Sequence, residues 1–308
     1  MTATQTKDTT IGFVGLGHMG GNMAARLLAA RYPAFGEARS RDEAQQLEQK
    51  GLGWRNTPRQ LTETVDVVFT SIPDDDTLRD VASGPDGILV GLEAGKTWLD
   101  VSTVSAQASR EVAEQVQQTG AVMLDAPVSG SVPQVQSGTL TIMVGGDKQA
   151  YERVEPVLRE LGTPTHVGAN GQGLTLKLAI NISLAVQMLA LAEGLVMAER
   201  DGIDRALALD VMTKSSIGSP MLKARAPLVL DLPDDAWFDV ALMHKDIRLA
   251  LDQAGQLGVP VPSASAADEM LTKASELGYE HRDLAGLFEV LAKLHGAGAE
   301  PGASTAPS

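Results

Sequence analysis

A chain of 308 residues, 44% hydrophobic and 21% charged, is about twice a typical domain of roughly 150 residues, which favours two domains and excludes wholesale disorder. The absence of cysteine excludes disulfides, thiolate nucleophiles, iron–sulfur clusters and cysteine-ligated zinc. Asp and Glu number 39 against 25 Lys and Arg, and a formal net charge of -14 repels phosphate backbones and anionic lipid, so no nucleic acid and no membrane is expected as the main partner.

The opening MTATQTKDTT is polar and lacks the apolar core of a signal peptide, which suits a cytoplasmic protein. Thr10 to Val14 is a short β-rich run. GLGHMG (Gly15 to Gly20) follows, and then the helix-forming GNMAARLLAA. A second strand is expected near Tyr32 to Ala38, interrupted by Pro33 and Gly36. A helix over Arg41 to Lys50 and an apolar strand over Val65 to Ile72 come next. Asp76 to Ala82 reads as helix, Thr97 to Val101 as strand and Ser105 to Gln118 as helix. Val122 to Asp125 and Thr139 to Val144 read as strands. This alternation predicts an α/β fold with a largely parallel, doubly wound sheet of Rossmann type.

The character changes after about Gly168. Helices are expected over Leu174 to Asp201, Arg205 to Lys214, Val240 to Leu257, Ser263 to Leu277 and Leu284 to His295. The reading is therefore a dinucleotide-binding domain over 1–169 and an all-α substrate and oligomerisation domain over 170–295. The Gly- and Pro-rich end, 296–308, reads as a disordered tail. The apolar run Leu174 to Ala198 contains Lys177, Asn181, Gln187 and Glu193, more polar groups than a membrane span usually carries.

Gly15, Gly17 and Gly20 form G-x-G-x-x-G between a strand and a helix. The turn needs φ freedom, the second glycine lets a pyrophosphate approach the backbone, and the helix N-terminus favours its charge. His18 and Met19 complete the turn and are counted with it. The alternative is a tight turn without a ligand. The choice between NADP and NAD falls at the end of the second strand, in Glu37-Ala38-Arg39-Ser40-Arg41. Arg39, Ser40 and Arg41 favour the 2′-phosphate of NADP through charge-assisted bonds. Glu37 is the counter-signal, because an acidic tip binds the ribose of NAD.

Lys177 and Asn181 interrupt a helix that is apolar nearly all round, and four-residue spacing puts them on one face. A buried lysine lining a polar cavity has a lowered pKa, which suits general acid/base work. Equally, Lys177 could snorkel to solvent while Asn181 bonds to backbone. No histidines stand at metal-ligand spacing, so no metal site is expected. His244, just before Lys245, reads either as a cleft residue or, more simply, as a surface one.

Four segments, in order, resemble the β-hydroxyacid dehydrogenase family, which includes 3-hydroxyisobutyrate dehydrogenases and glyoxylate/succinic semialdehyde and tartronate semialdehyde reductases. They are GFVGLGHMGGNMA (Gly12 to Ala24), DAPVSGSVPQVQSGTLTIMVGG (Asp125 to Gly146), GQGLTLKLAIN (Gly171 to Asn181) and FDVALMHKDIRLA (Phe238 to Ala250). The resemblance implies that Lys177 is the general acid/base and that Ser129, Gly130 and Asn181 bind a small carboxylate substrate. It also implies that Thr103 lies near the nicotinamide, that Phe238 and Lys245 face the cofactor with Asp246 in support, and that Ile72, Pro73 and Asp74 form the loop under the adenosine ribose. Arg39 and Ser40 match the family's NADP signature, although Ala38 replaces its asparagine. Ser131 stands where a second glycine is usual, so its side chain is expected to narrow the anion pocket or to donate a further bond. The expected activity is hydride transfer between NAD(P) and a small β-hydroxy acid or semialdehyde, in a homodimer or homotetramer. Lysine at 177 argues against the alternatives, an imine reductase and a non-enzymatic NADP sensor.

Overall fold

A computed structural model describes residues 7–298. The first half alternates strands and helices in this order: β1 (Ile11–Val14), α1 (His18–Ala29), β2 (Ala34–Glu37), a 3-10 turn (Arg41–Glu43), α2 (Gln45–Glu48), β3 (Gly53–Trp54), α3 (Pro58–Thr64), β4 (Val67–Thr70), α4 (Asp75–Ala82), α5 (Ile88–Gly91), β5 (Thr97–Asp100), α6 (Ala106–Gln118), β6 (Val122–Asp125), β7 (Val128–Ser129), α7 (Val132–Ser137), β8 (Leu140–Gly145), α8 (Lys148–Leu161) and β9 (Gly162–Gly168). Only helices follow: α9 (Gln172–Arg200), α10 (Arg205–Lys214), α11 (Pro220–Leu230), α12 (Val240–Leu257), α13 (Pro262–Glu276), a 3-10 turn (Leu284–Gly286) and α14 (Leu287–Gly298).

The strands form one sheet in the order β3-β2-β1-β4-β5-β6-β8-β7, with β9 beside β8. From β3 to β6 every pairing is parallel, and β8 runs antiparallel to β6 and β7. The strand order reverses between β1 and β4, and ligands of doubly wound sheets bind beyond the carboxyl ends at such a point. Both faces of the sheet are covered, so adjacent residues on a strand enter different apolar layers. Phe13, Phe69, Leu99 and Leu124 belong to one layer; Val14, Val68, Trp98 and Met123 belong to the other.

The chain divides by compactness into Met1–Ala179 and Ile180–Ser308. The division falls inside α9, ten residues beyond the expected boundary at 169/170. The cause is local: Leu174, in the first turn of α9, is buried in an apolar layer of the sheet unit. In the helical unit, Ala185, Met188, Leu191 and Leu195 of α9 share a core with Val240, Met243 and Ile247 of α12, Leu271 of α13 and Phe288 of α14. α9 is long and apolar enough to cross a membrane, and its interior positions fill this core instead.

Several elements depart from expectation. The helix expected over Arg41 to Lys50 is a 3-10 turn followed by one α-turn. β2 tolerates Gly36 because a Cβ there would meet the side chains of Leu52 and Leu16 at 2.8 and 2.9 Å. Helices α8 and α11 were not expected, and each contains an interior proline, Pro156 and Pro227. α14 runs to Gly298, three residues past its expected end at His295. The remainder of the expected tail, 299–308, lies outside the described residues.

Candidate active site

The glycine turn leaves β1 at the reversal point of the sheet. Gly15 has φ 91°, and a Cβ there would lie 2.3 Å from the Ser71 carbonyl oxygen. A Cβ at Gly20 would lie 2.2 Å from the Gly15 carbonyl oxygen. Packing alone therefore requires these two glycines. Gly17 differs, because a Cβ there would meet nothing within 4 Å. Its missing side chain opens a cradle at the start of α1, where no side chain caps the helix. Free amides and a positive helix end suit a pyrophosphate, so these residues fit a bound dinucleotide. His18 is exposed and Met19 half-buried at this helix start.

The surrounding loops are tied to strand ends. The Ile72 amide donates to Ser102 Oγ at 3.0 Å, and Asp74 caps α4 by accepting from the Thr77 amide at 2.8 Å. Pro73 is exposed, and Thr103, just beyond Ser102, is half-buried. β2 ends on Glu37, which is half-buried, and Arg39 and Ser40 follow as exposed residues. Ser40 Oγ accepts from the Asp42 amide at 3.2 Å. Arg41 pairs with Glu48 at 2.9 Å and lies over the Trp54 ring. Arg39 is thus the guanidinium presented at the strand tip.

In the expected substrate segment, β7 holds Ser129, which is half-buried. Gly130 follows with φ 132°, a conformation that favours glycine. Ser131 caps α7: its amide and its hydroxyl both donate to Gln134 Oε1, at 2.9 and 3.1 Å. The Ser131 hydroxyl proton is thus engaged within the cap of α7.

Lys177 is half-buried and Asn181 fully buried, one turn apart on α9. Asn181 Nδ2 donates to Asp246 Oδ2 at 2.5 Å, and Lys245 Nζ lies 3.0 Å from Asp246 Oδ1. Asn181 therefore bonds to a carboxylate and not to backbone, while its Oδ1 is buried without a protein partner. Buried acceptors are rarely left unmatched, and this one suits a ligand's hydroxyl or ammonium donor.

Sequence reasoning missed Arg225 and Asp283. Asp283 is fully buried and accepts from Arg225 Nη1 at 2.6 Å and from the amides of Trp237, Phe238 and Ala285. It thereby fixes the backbone of half-buried Phe238 at the entry to α12, the helix bearing Lys245 and Asp246. The available signals were an arginine within the apolar run MLKARAPLVL and an aspartate before the turn at Leu284. His244, expected at the surface, is half-buried with Nε2 3.0 Å from Asp268 Oδ1; burial holds its pKa below the ordinary value. Among the described residues no group of three His, Asp or Glu side chains is placed to hold a metal ion.

A glycine cradle at the reversal point of a parallel sheet, followed by a helical unit, defines a nicotinamide-dinucleotide-dependent oxidoreductase of two units. Residues 10–171 match the NAD-binding domain of 6-phosphogluconate dehydrogenase, and residues 171–291 match the NAD-binding domain of NADP-dependent 3-hydroxyisobutyrate dehydrogenase. Glyoxylate/succinic semialdehyde reductase 2 of Arabidopsis thaliana is 32% identical over 94% of this chain and 82% of its own length. The structure of Mycobacterium tuberculosis 3-hydroxyisobutyrate dehydrogenase with L-serine is 31% identical, with a TM-score of 0.80 over 92% of this chain and 99% of that one. The chain belongs to the family of NAD(P)-dependent β-hydroxyacid dehydrogenases, which act on small hydroxy acids and semialdehydes. An imine reductase from Pseudomonas sp. is only 23% identical, with a TM-score of 0.61 over 92% of this chain, and shares the fold alone.

Proposed function

We propose that the protein interconverts a small β-hydroxy acid of the 3-hydroxyisobutyrate type and its semialdehyde, with NADP preferred and Lys177 as general acid/base. The observation that carries this reading is the Lys177–Asn181 pair on α9. A single half-buried cation stands one turn from a buried, unmatched amide oxygen, on a helix that is otherwise apolar around them.

Ser129 supplies a hydroxyl and Gly130 a backbone N–H to the substrate carboxylate. Gly15, Gly17, His18, Met19 and Gly20 hold the pyrophosphate, and NADP, when bound, supplies or accepts the hydride. In reduction the Lys177 ammonium donates a proton to the carbonyl oxygen as that oxygen gains charge. In oxidation the neutral amine takes the hydroxyl proton. Asp246 holds the Asn181 amide, so that its free oxygen has one orientation. The exposed Arg39 guanidinium beside Ser40 supports NADP over NAD, as does the NADP-dependent family matched by residues 171–291.

Lys177→Ala is expected to lower kcat by about 10²–10⁴-fold while nucleotide Kd changes less than about twofold. The assay follows NADPH oxidation with glyoxylate, succinic semialdehyde, methylmalonate semialdehyde and a cyclic imine. Turnover near the parent value by the variant would refute the lysine's role. Nucleotide binding without turnover of any carbonyl acid would favour a sensor. The protein works as a homodimer or homotetramer, supported by the exposed apolar residues Leu176 and Met197 on α9 and Leu207 and Val211 on α10. Sedimentation as a monomer would contradict this.

A further inference from the structure

The start of α9 is capped in an unusual way. A helix N-terminus leaves up to about four amides without intrahelical partners, and a local Ser, Thr, Asp or Asn normally satisfies them. Here the Asp125 carboxylate, at the end of β6, accepts from the Gly171 amide through Oδ1 at 2.7 Å and from the Leu174 amide through Oδ2 at 3.0 Å. The donors lie 46 and 49 residues further along the chain. A second link, from Asn170 Nδ2 to the Met123 carbonyl at 2.9 Å, joins the same two stretches.

The space around this carboxylate is fitted to it. A Cβ at Gly145, its register partner on β8, would lie 2.6 Å from Oδ1, and one at Gly173 would lie 2.7 Å from Oδ2. Gly171 adopts φ 85°. Asp125 is fully buried with both oxygens occupied by amides, so it neither touches substrate nor exchanges protons with it. Burial pushes its pKa up, and the bonds from Gly171 and Leu174 oppose that rise.

A local cap would stabilise α9 equally well without tying it to the sheet. The Asp125 cap does something more. It joins the strand that leads directly into Ser129 and Gly130 to the helix turn that leads directly into Lys177. We infer that Asp125 is a positioning residue that sets Lys177 against the substrate-anchoring Ser129–Gly130 segment. The inference rests on the reading of Lys177 as general acid/base. Its size follows from general kinetics: a displacement of about 1 Å at a reacting group costs on the order of 10²-fold in rate.

The experiment uses the full chain with NADPH and whichever of glyoxylate, succinic semialdehyde or methylmalonate semialdehyde turns over fastest. Asp125→Asn preserves shape but places an NH2 against one of the two amide donors. The expected result is a fall in kcat of about 10-fold to 100-fold, with NADPH Kd within about twofold of the parent. The primary isotope effect with 4-deuterated NADPH should rise, because the chemical step becomes rate-limiting. A purely structural cap would lower thermal stability and leave kcat and the isotope effect unmoved below the melting range; that outcome overturns the inference. If Asp125→Asn does not fold, Gly173→Ala, whose Cβ would lie 2.5 Å from the Met143 carbonyl oxygen and 2.7 Å from Oδ2 and so forces the helix start off both, is measured with the same readouts and decides. Lys177→Met runs in parallel. Turnover by Lys177→Met would refute the lysine's role itself. An inactive Lys177→Met beside an unimpaired Asp125→Asn would refute only the positioning.

Discussion

In the sheet unit, four buried polar side chains, Thr70, Asp100, Ser102 and Asp125, stand at or just beyond the carboxyl ends of β4, β5 and β6, while Thr62, Lys96, Thr97 and Ser109 are buried elsewhere in the unit. In the helical unit the buried polar side chains are Thr213 on α10, which bonds back to the Leu209 carbonyl of its own helix, and Asn181 on α9, Arg225 on α11, Asp246 on α12 and Asp283 before α14. Parallel strands in register bring their ends to one edge automatically, so one architectural decision places these four side chains together. Helices offer no such edge, and the four charged or amide groups each need a partner from another element of the chain. The sheet unit shares its polar burden among neighbours; Thr70, for instance, donates to Asp100 at 2.8 Å and accepts from Trp98 at 2.9 Å. The helical unit concentrates its burden in two pairs, Asn181–Asp246 and Arg225–Asp283.

The largest expected effect breaks one of those pairs. Asp283→Ala leaves the Arg225 guanidinium buried without its counter-charge and also strips acceptors from three amides. A loss of about 3–5 kcal/mol is expected. Urea unfolding followed by fluorescence tests the contrast, because Trp98 is buried in the sheet unit and Trp237 lies in the helical unit beside Asp283. The Trp237 transition should move to lower urea. A shift of under about 1 kcal/mol would mean that the pair is not the helical unit's main polar anchor.

The same contrast explains what was legible in the sequence. Gly15, Gly17 and Gly20 announce the cradle because one local stretch encodes strand, turn and helix together. Lys177 and Asn181 announce themselves because an apolar helix makes polar exceptions visible. Arg225 and Asp283 do not, since partners 58 residues apart leave no periodic trace. Asp125 is visible as a strand end, yet nothing in its neighbourhood reveals that its acceptors serve α9. Pro156 and Pro227 hid α8 and α11, because proline in a helix interior usually breaks it. In α8 the apolar residues Val154, Val157, Leu158 and Leu161 are buried all the same, so tertiary packing outweighs the lost bond.

An intermediate effect sharpens the account of the sheet edge. Arg39 is exposed at the tip of β2, two residues beyond Glu37. Arg39→Ala should lower kcat/KM for NADPH by about 10-fold to 100-fold through loss of a charge-assisted phosphate contact. With NADH, kcat/KM should stay within about twofold, because no 2′-phosphate is present to lose. Equal losses with both nucleotides would place Arg39 outside the specificity contact and leave Glu37 as the residue that reads the ribose.

The smallest effect is a slope. Asp100 is fully buried, and its Oδ1 accepts from Thr70 Oγ1 and the Ser102 amide while Oδ2 has no partner. Burial raises its pKa above the ordinary 3.8, and the register neighbour Asp125 adds repulsion of the same sign. Between the ordinary and the raised value the folded state holds the proton that the unfolded state has released. The stability Asp100 contributes is therefore complete below 3.8 and is lost as pH rises through the folded value. Asp100→Asn removes that proton dependence while its side-chain oxygen still accepts from Thr70 and Ser102. Its amide nitrogen takes the place of an oxygen that has no partner, at a cost that does not vary with pH. Melting temperatures of parent and variant across pH 4–8 should consequently diverge, the parent losing ground as pH rises. Parallel curves would mean that Asp100 keeps its charge at the sheet edge, and the shared network would then be one that stabilises an anion.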